Sequence, residues 1–199
     1  MSRKWTTRYF RSEKEVIEVS TLKKPDKYGF LGWMESHRSG KYVLIWVDDA
    51  TLERLHIRNG YIRYYDDPSK ATIVIDAAMF QDYKRNGFEG PMLLFHEFGH
   101  FMLGHLEDDP TVENEFDRRL ELLEQDKVSQ EELDADAYAA KFIGGDTVYW
   151  ALWESRESRS ALCFFDCDET DEAALKEYDL RMRAIAAAYG LEHDEEEDE

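Results

Sequence analysis

The sequence predicts an α+β fold: a small, mainly antiparallel sheet built first, then helices packed on one face of it. Three observations carry this expectation. Runs of β-branched and aromatic residues, punctuated by turn signals, occupy the chain up to Asp76. From Ala77 onward apolar residues recur at three- and four-residue intervals. The two kinds of segment are segregated rather than alternating, which argues against a parallel α/β arrangement.

In chain order, Ser12-x-x-Glu15 could open a short helix, although Val16, Ile17 and Val19 suit a strand as well. Pro25 to Gly32 reads as a loop. Lys41 to Val47 is rich in Val, Ile and Trp and reads as a strand, and Leu52 to Arg58 alternates in part. Asn59-Gly60 is a hairpin-turn signal, with Tyr61 to Tyr65 as the return strand. Asp66-Asp67-Pro68 turns again, and Ala71 to Asp76 is a compact β-branched run. Three or four strands are expected.

A short helix is expected over residues 77–86, stopped at Gly87. The next covers about 91–104, with Pro91 in its first turn. Asp109-Pro110 opens a charged, surface-lying helix to about residue 125. A helix around Glu132 ends at Gly144-Gly145. Asp146 caps another through Trp150, Leu152 and Trp153, and the last runs from about Thr170 to Tyr189, where Gly190 stops it.

Composition bounds the function. With 199 residues and 43% hydrophobic content, the chain can bury one sizeable core. A net charge of −19 repels nucleic-acid phosphates and anionic lipids, so neither nucleic acid nor membrane is an expected partner. The charge is uneven: residues 1–28 are net basic, while Asp194 to Glu199 is wholly acidic and is expected to be a disordered tail. No run of about 18 apolar residues occurs. The chain shows no apolar signal segment after Met1-Ser2-Arg3-Lys4-Trp5, so the cytoplasm is the expected compartment. Cys163 and Cys167 are too few for a disulfide framework and read as reduced thiols.

Residues 96–100 read His-Glu-Phe-Gly-His. Positions i and i+4 of a helix share a face, so His96 and His100 can aim their imidazoles at one point. Imidazole suits zinc, which takes about four ligands in a tetrahedron. Glu97 follows the first histidine and can reach a water on the metal without ligating it, the position of a general base. The motif lies among Met92, Leu93, Leu94, Phe95, Phe98, Phe101 and Met102, on a largely buried helix. There, unpaired histidines and a glutamate would be costly. The alternative is a pair of hydrogen-bonded core histidines beside a capping glutamate.

Two histidines do not complete a zinc site. His105 lies about 180° around the helix from His96 and is expected to end the helix after Gly104 rather than ligate. Glu132 is the better candidate. It lies in the run Glu132-Leu133-Asp134-Ala135-Asp136-Ala137-Tyr138-Ala139-Ala140, with Asp136 four residues on and on the same face. A ligating carboxylate with a second carboxylate orienting a histidine is a usual two-layer construction. Ala135 and Ala139 would let this helix approach the first closely. Ser129-x-x-Glu132 is also a capping box, and a capping Glu132 could not bind metal.

His96-Glu97-x-x-His100 followed by Glu132-x-x-Ala135-Asp136-x-x-Ala139 resembles gluzincin-type zinc metallopeptidases. It is similar to the soluble ImmA/IrrE-like and the HtpX-like membrane peptidases, and to small soluble phage and bacterial enzymes. The likeness covers roughly residues 70–190 and is clearest from Leu133 to Gly144. It implies a zincin-like fold, His96, His100 and Glu132 as Zn2+ ligands, Glu97 as catalytic base and Asp136 as support for a ligand histidine.

The chain accordingly divides into an N-terminal segment of unassigned structure (1–40), a zincin-like metallopeptidase domain (41–190) and the acidic tail (191–199). The expected activity is zinc-dependent endopeptidase cleavage of a protein or peptide substrate. An extended substrate could add to a sheet edge near Ala71–Asp76. Tyr138, Tyr83 and Tyr149 are the candidate oxyanion donors. The alternatives are a non-catalytic regulatory protein that retains a zinc site, with His105 filling the open position, and a zinc hydrolase of a non-peptide bond.

Overall fold

A computed structural model describes residues 4–55, 60–64, 71–105, 112–157 and 168–193. Six strands and seven helices follow one another as β1 (Trp5–Arg11), β2 (Val16–Leu22), β3 (Phe30–Ser36), β4 (Tyr42–Val47), α1 (Asp49–Leu55), β5 (Gly60–Tyr64), β6 (Ala71–Ile75), α2 (Ala77–Arg85), α3 (Glu89–Leu103), α4 (Val112–Glu124), α5 (Gln130–Ile143), α6 (Gly145–Glu157) and α7 (Asp168–Tyr189). The architecture is α+β. No helix among the described residues is long and apolar enough to cross a membrane.

The six strands form one sheet in the order β1-β2-β3-β4-β6-β5. Its pairings are antiparallel except β4 with β6. The sheet is larger than the three or four strands expected, because the first forty residues contribute three of its strands. Val16, Ile17 and Val19 belong to β2, not to a helix opened at Ser12. The sheet runs continuously past residue 40.

Two further expectations are corrected. Leu52 lies in a helix, not a strand. Asp48, just after β4, accepts the backbone N–H of Thr51 at 3.0 Å and so starts α1, whose Leu52 is buried. The return strand β5 pairs with β6. Asn59, the Asp66-Asp67-Pro68 turn, Cys163, Cys167 and the tail from Asp194 lie outside the described residues.

Alternation along the strands builds one apolar face. Ile17, Val19, Met34, Val43, Ile45 and Ile73 are wholly buried. The apolar residues of α3 pack into the same core, and the Phe10 and Phe95 rings meet edge to face at 4.8 Å. Burying one such aromatic side chain is worth about 1.5–3 kcal/mol. On its other side α3 packs against α2, α5 and α6. The motif helix is therefore fixed between a sheet and a helical layer, and its polar residues are held where the packing puts them.

Replacing Phe98, wholly buried in α3, by Ala is expected to cost about 3–5 kcal/mol in urea unfolding. Replacing Leu103, 45% exposed on the same helix, should change stability by less than about 0.5 kcal/mol.

Candidate metal centre

Helix α3 begins where Asp82 accepts the backbone N–H of Gly90 at 2.7 Å, with Pro91 in its first turn. It ends at Gly104, whose φ of 78° lets its N–H bond the His100 carbonyl. Between these ends His96 and His100 share one face, with their Nε2 atoms 3.0 Å apart. Both rings are buried.

Helix α5 packs closely on this one. A Cβ placed on Gly99 would lie 3.2 Å from Tyr138 Cβ and 3.3 Å from Ala135 Cα. Ala135 and Ala139 are wholly buried at the contact. The small residues expected to allow close approach do so, and Gly99 is their unforeseen counterpart. The approach brings Glu132, in the first turn of α5, to the imidazole pair. Its Oε2 is 3.2 Å from His96 Nε2 and its Oε1 is 3.6 Å from His100 Nε2. Ser129 makes no side-chain cap bond, and the Glu132 carboxylate faces the histidines instead of capping the helix. One ligand atom from each of His96, His100 and Glu132 falls within 4.8 Å of the others, a group that could hold a metal ion.

A second layer surrounds this group. Asp136, wholly buried, bonds His96 Nδ1 at 2.8 Å, which leaves Nε2 directed to the shared point. Arg181, from α7, donates to both Asp136 oxygens at 2.7 and 2.6 Å. Its third nitrogen lies 3.3 Å from Glu132 Oε2. Arg119, from α4, donates through Nε to Glu177 at 3.2 Å and sits 3.9 Å from Glu132 Oε1. Sequence reasoning missed Arg119, Glu177 and Arg181. The spacing of Glu177 and Arg181, four apart on one helix face, was the available signal.

Charge explains what this cluster is suited to hold. With the histidines neutral and every carboxylate ionised, Glu97, Glu132, Asp136 and Glu177 bring four negative charges against two positive from Arg119 and Arg181, an excess of two. A divalent cation balances that excess. The protonation equilibria express the same imbalance. Burial pulls His96 down, but the Glu132 charge and the Asp136 bond outweigh it and raise its pKa to about 10. Burial raises Glu97 to about 7, against the opposing pull of His96. Burial and the neighbouring His96 charge lower His100 to about 3. Burial works against an ionised Glu132 as well, yet Arg119, His96 and Arg181 hold it well below the usual carboxylate range.

The remaining expected residues are placed as follows. Glu97 is half-buried beside the pair, with the Ile62 backbone N–H of β5 in reach of its carboxylate. His105 lies behind His100, on its Nδ1 side, outside the ligand group. The three tyrosines are directed elsewhere: Tyr138 donates to Glu15 at 3.5 Å, Tyr83 stacks under the Arg8 guanidinium, and Tyr149 bonds His193 at 3.1 Å. Residues 71–75 do not form a sheet edge, because β6 lies between β4 and β5. Among the described residues the outermost strand on this side is β5, which packs against α3 through Gly60 and Leu93.

In comparisons with known proteins, the chain matches no protein-family model. It also matches no curated protein and no solved structure.

Cation binding must displace the His96 proton at any pH below about 10, and a cation beside the non-ligating Glu97 also favours loss of its proton below about 7. Zinc affinity is therefore expected to rise about tenfold per pH unit from pH 7 to 9, and more steeply below 7. Calorimetric titration in buffers of different ionisation enthalpy should count about one proton released at pH 8 and more at pH 6.

Proposed function

We propose that the protein is a zinc-dependent metalloendopeptidase with a zincin-like fold, of the HExxH…ExxAD gluzincin type. The observation that carries this reading is the convergence of His96, His100 and Glu132 with Glu97 at the adjoining position and Asp136 behind His96. Two imidazoles and one carboxylate suit zinc, and three protein ligands leave one tetrahedral position for solvent or substrate. A structural zinc site needs no such opening and no adjacent base.

Bound zinc would supply Lewis acidity, lowering the pKa of water and polarising a carbonyl oxygen. The chain's own groups do the rest. The Glu97 carboxyl, raised to about 7, exchanges a proton near neutrality. It takes the proton of the attacking water and passes it to the leaving amine nitrogen. Asp136 fixes the His96 tautomer, the Arg181 guanidinium keeps Asp136 ionised, and Arg119, His96 and Arg181 together keep Glu132 ionised. Strand β5, the outermost strand on this side of the sheet among the described residues, runs beside Glu97 and is where an extended peptide would be laid, which favours a peptide over a compact ester as substrate.

Replacing Glu97 by Gln should keep stoichiometric zinc and lower cleavage of an unfolded protein substrate by about 10²–10⁴-fold, read by mass spectrometry of new termini. Undiminished zinc-dependent cleavage by that variant would remove Glu97 from the reaction. Hydrolysis of simple esters without any cleavage of peptides would contradict the endopeptidase reading.

A further inference from the structure

We propose that His105 is a positioning residue for the ligand His100, performing for that ring what Asp136 performs for His96. The inference rests on the metal-site reading above and extends it to the second histidine. Helix α3 stops at Gly104, and the chain then turns so that the His105 backbone N–H also bonds the His100 carbonyl, at 3.1 Å. That turn carries the His105 ring back over the helix end. Its Nδ1 lies 3.1 Å from His100 Nδ1, and the two rings meet edge to face at 5.2 Å and 72°.

The hydrogen-bond arithmetic then assigns the tautomers. His100 Nε2 faces His96 and Glu132, so a ligating His100 keeps its lone pair on Nε2 and its proton on Nδ1. That N–H needs an acceptor, because the ring is 8% exposed and an unbonded buried donor is costly. His105 Nδ1 is the acceptor at hydrogen-bond distance, which places the His105 proton on its Nε2. Removing that acceptor frees His100 to turn or to change tautomer, either of which takes the Nε2 lone pair away from the metal. The choice of acceptor fits the charge balance. An imidazole accepts the bond without adding a further negative charge to a cluster that one divalent ion already neutralises.

A merely structural His105 would cap the helix end by ring packing, and two substitutions separate the roles. His105→Phe keeps a ring but offers no acceptor, whereas His105→Gln loses the ring but offers an amide oxygen. With zinc, His105→Phe is expected to bind about 10–100-fold more weakly than wild type, and His105→Gln to recover most of that loss. The visible absorption of the cobalt(II)-loaded protein should change in the Phe variant and stay close to wild type in the Gln variant. Wild-type zinc affinity and an unchanged cobalt spectrum in His105→Phe would overturn the positioning role alone. A wild-type protein that takes up no stoichiometric zinc would overturn the metal-site reading, and this role with it.

Discussion

The close contact of α3 with α5 is the constraint on which the rest of the site depends. Gly99 has no side chain, and Ala135 and Ala139 have only a methyl each, so the two helices approach until a single added Cβ would crowd Tyr138 and Ala135. This approach brings Glu132 to the imidazole pair. A larger residue at this contact would separate the helices, and an arrangement held to a few tenths of an ångström would be lost. The sheet contributes by fixing the other side of α3. Phe95 meets Phe10 of β1 there, while Phe98 meets Tyr138 of α5, and both are wholly buried, which opposes rotation of the helix.

The polar groups inside this contact are held as one network. A buried carboxylate is costly unless it is paired and hydrogen-bonded. Asp136 meets that condition through His96 and two bonds from Arg181. Glu132 meets it through His96, with Arg181, His100 and Arg119 nearby. The guanidiniums come from α7 and α4, so helices distant in sequence from the HExxH motif set the charge at its centre. That division of labour gives the long C-terminal helix a role beyond covering the core: its residues 177 and 181 complete the electrostatics.

How much of this was legible in the sequence follows the range of the interactions. His96, Glu97 and His100 were readable because helical spacing is local. Glu132 and Asp136 were readable as a second i,i+4 pair, but only geometry showed that the Glu132 carboxylate faces the histidines instead of capping its helix. Arg181 was readable only as the i,i+4 partner of Glu177; its bonds to Asp136 span 45 residues, and no local period announces those. His105 was read as a helix end and is one; its ring contact with His100 depends on a turn geometry that residue types do not specify. In the sheet, β4 and β6 were legible from continuous apolar runs. Strands β1 to β3 were less so, because exposed positions such as Trp5 and Tyr9 and the polar Ser20, Thr21 and Ser36 blur the alternation. The edge was misplaced because β6 inserts between β4 and β5, so spatial order departs from chain order.

The most direct test of the central claim is the metal content of the purified protein, wild type beside His100→Ala and Glu132→Ala, with circular dichroism to confirm that each is folded. One helix supplies two imidazoles and a second supplies the carboxylate, so wild type should carry one zinc per chain and each variant should lose it while remaining folded. Equal stoichiometric zinc in all three folded proteins would mean that these side chains do not share an ion, and the account would fail.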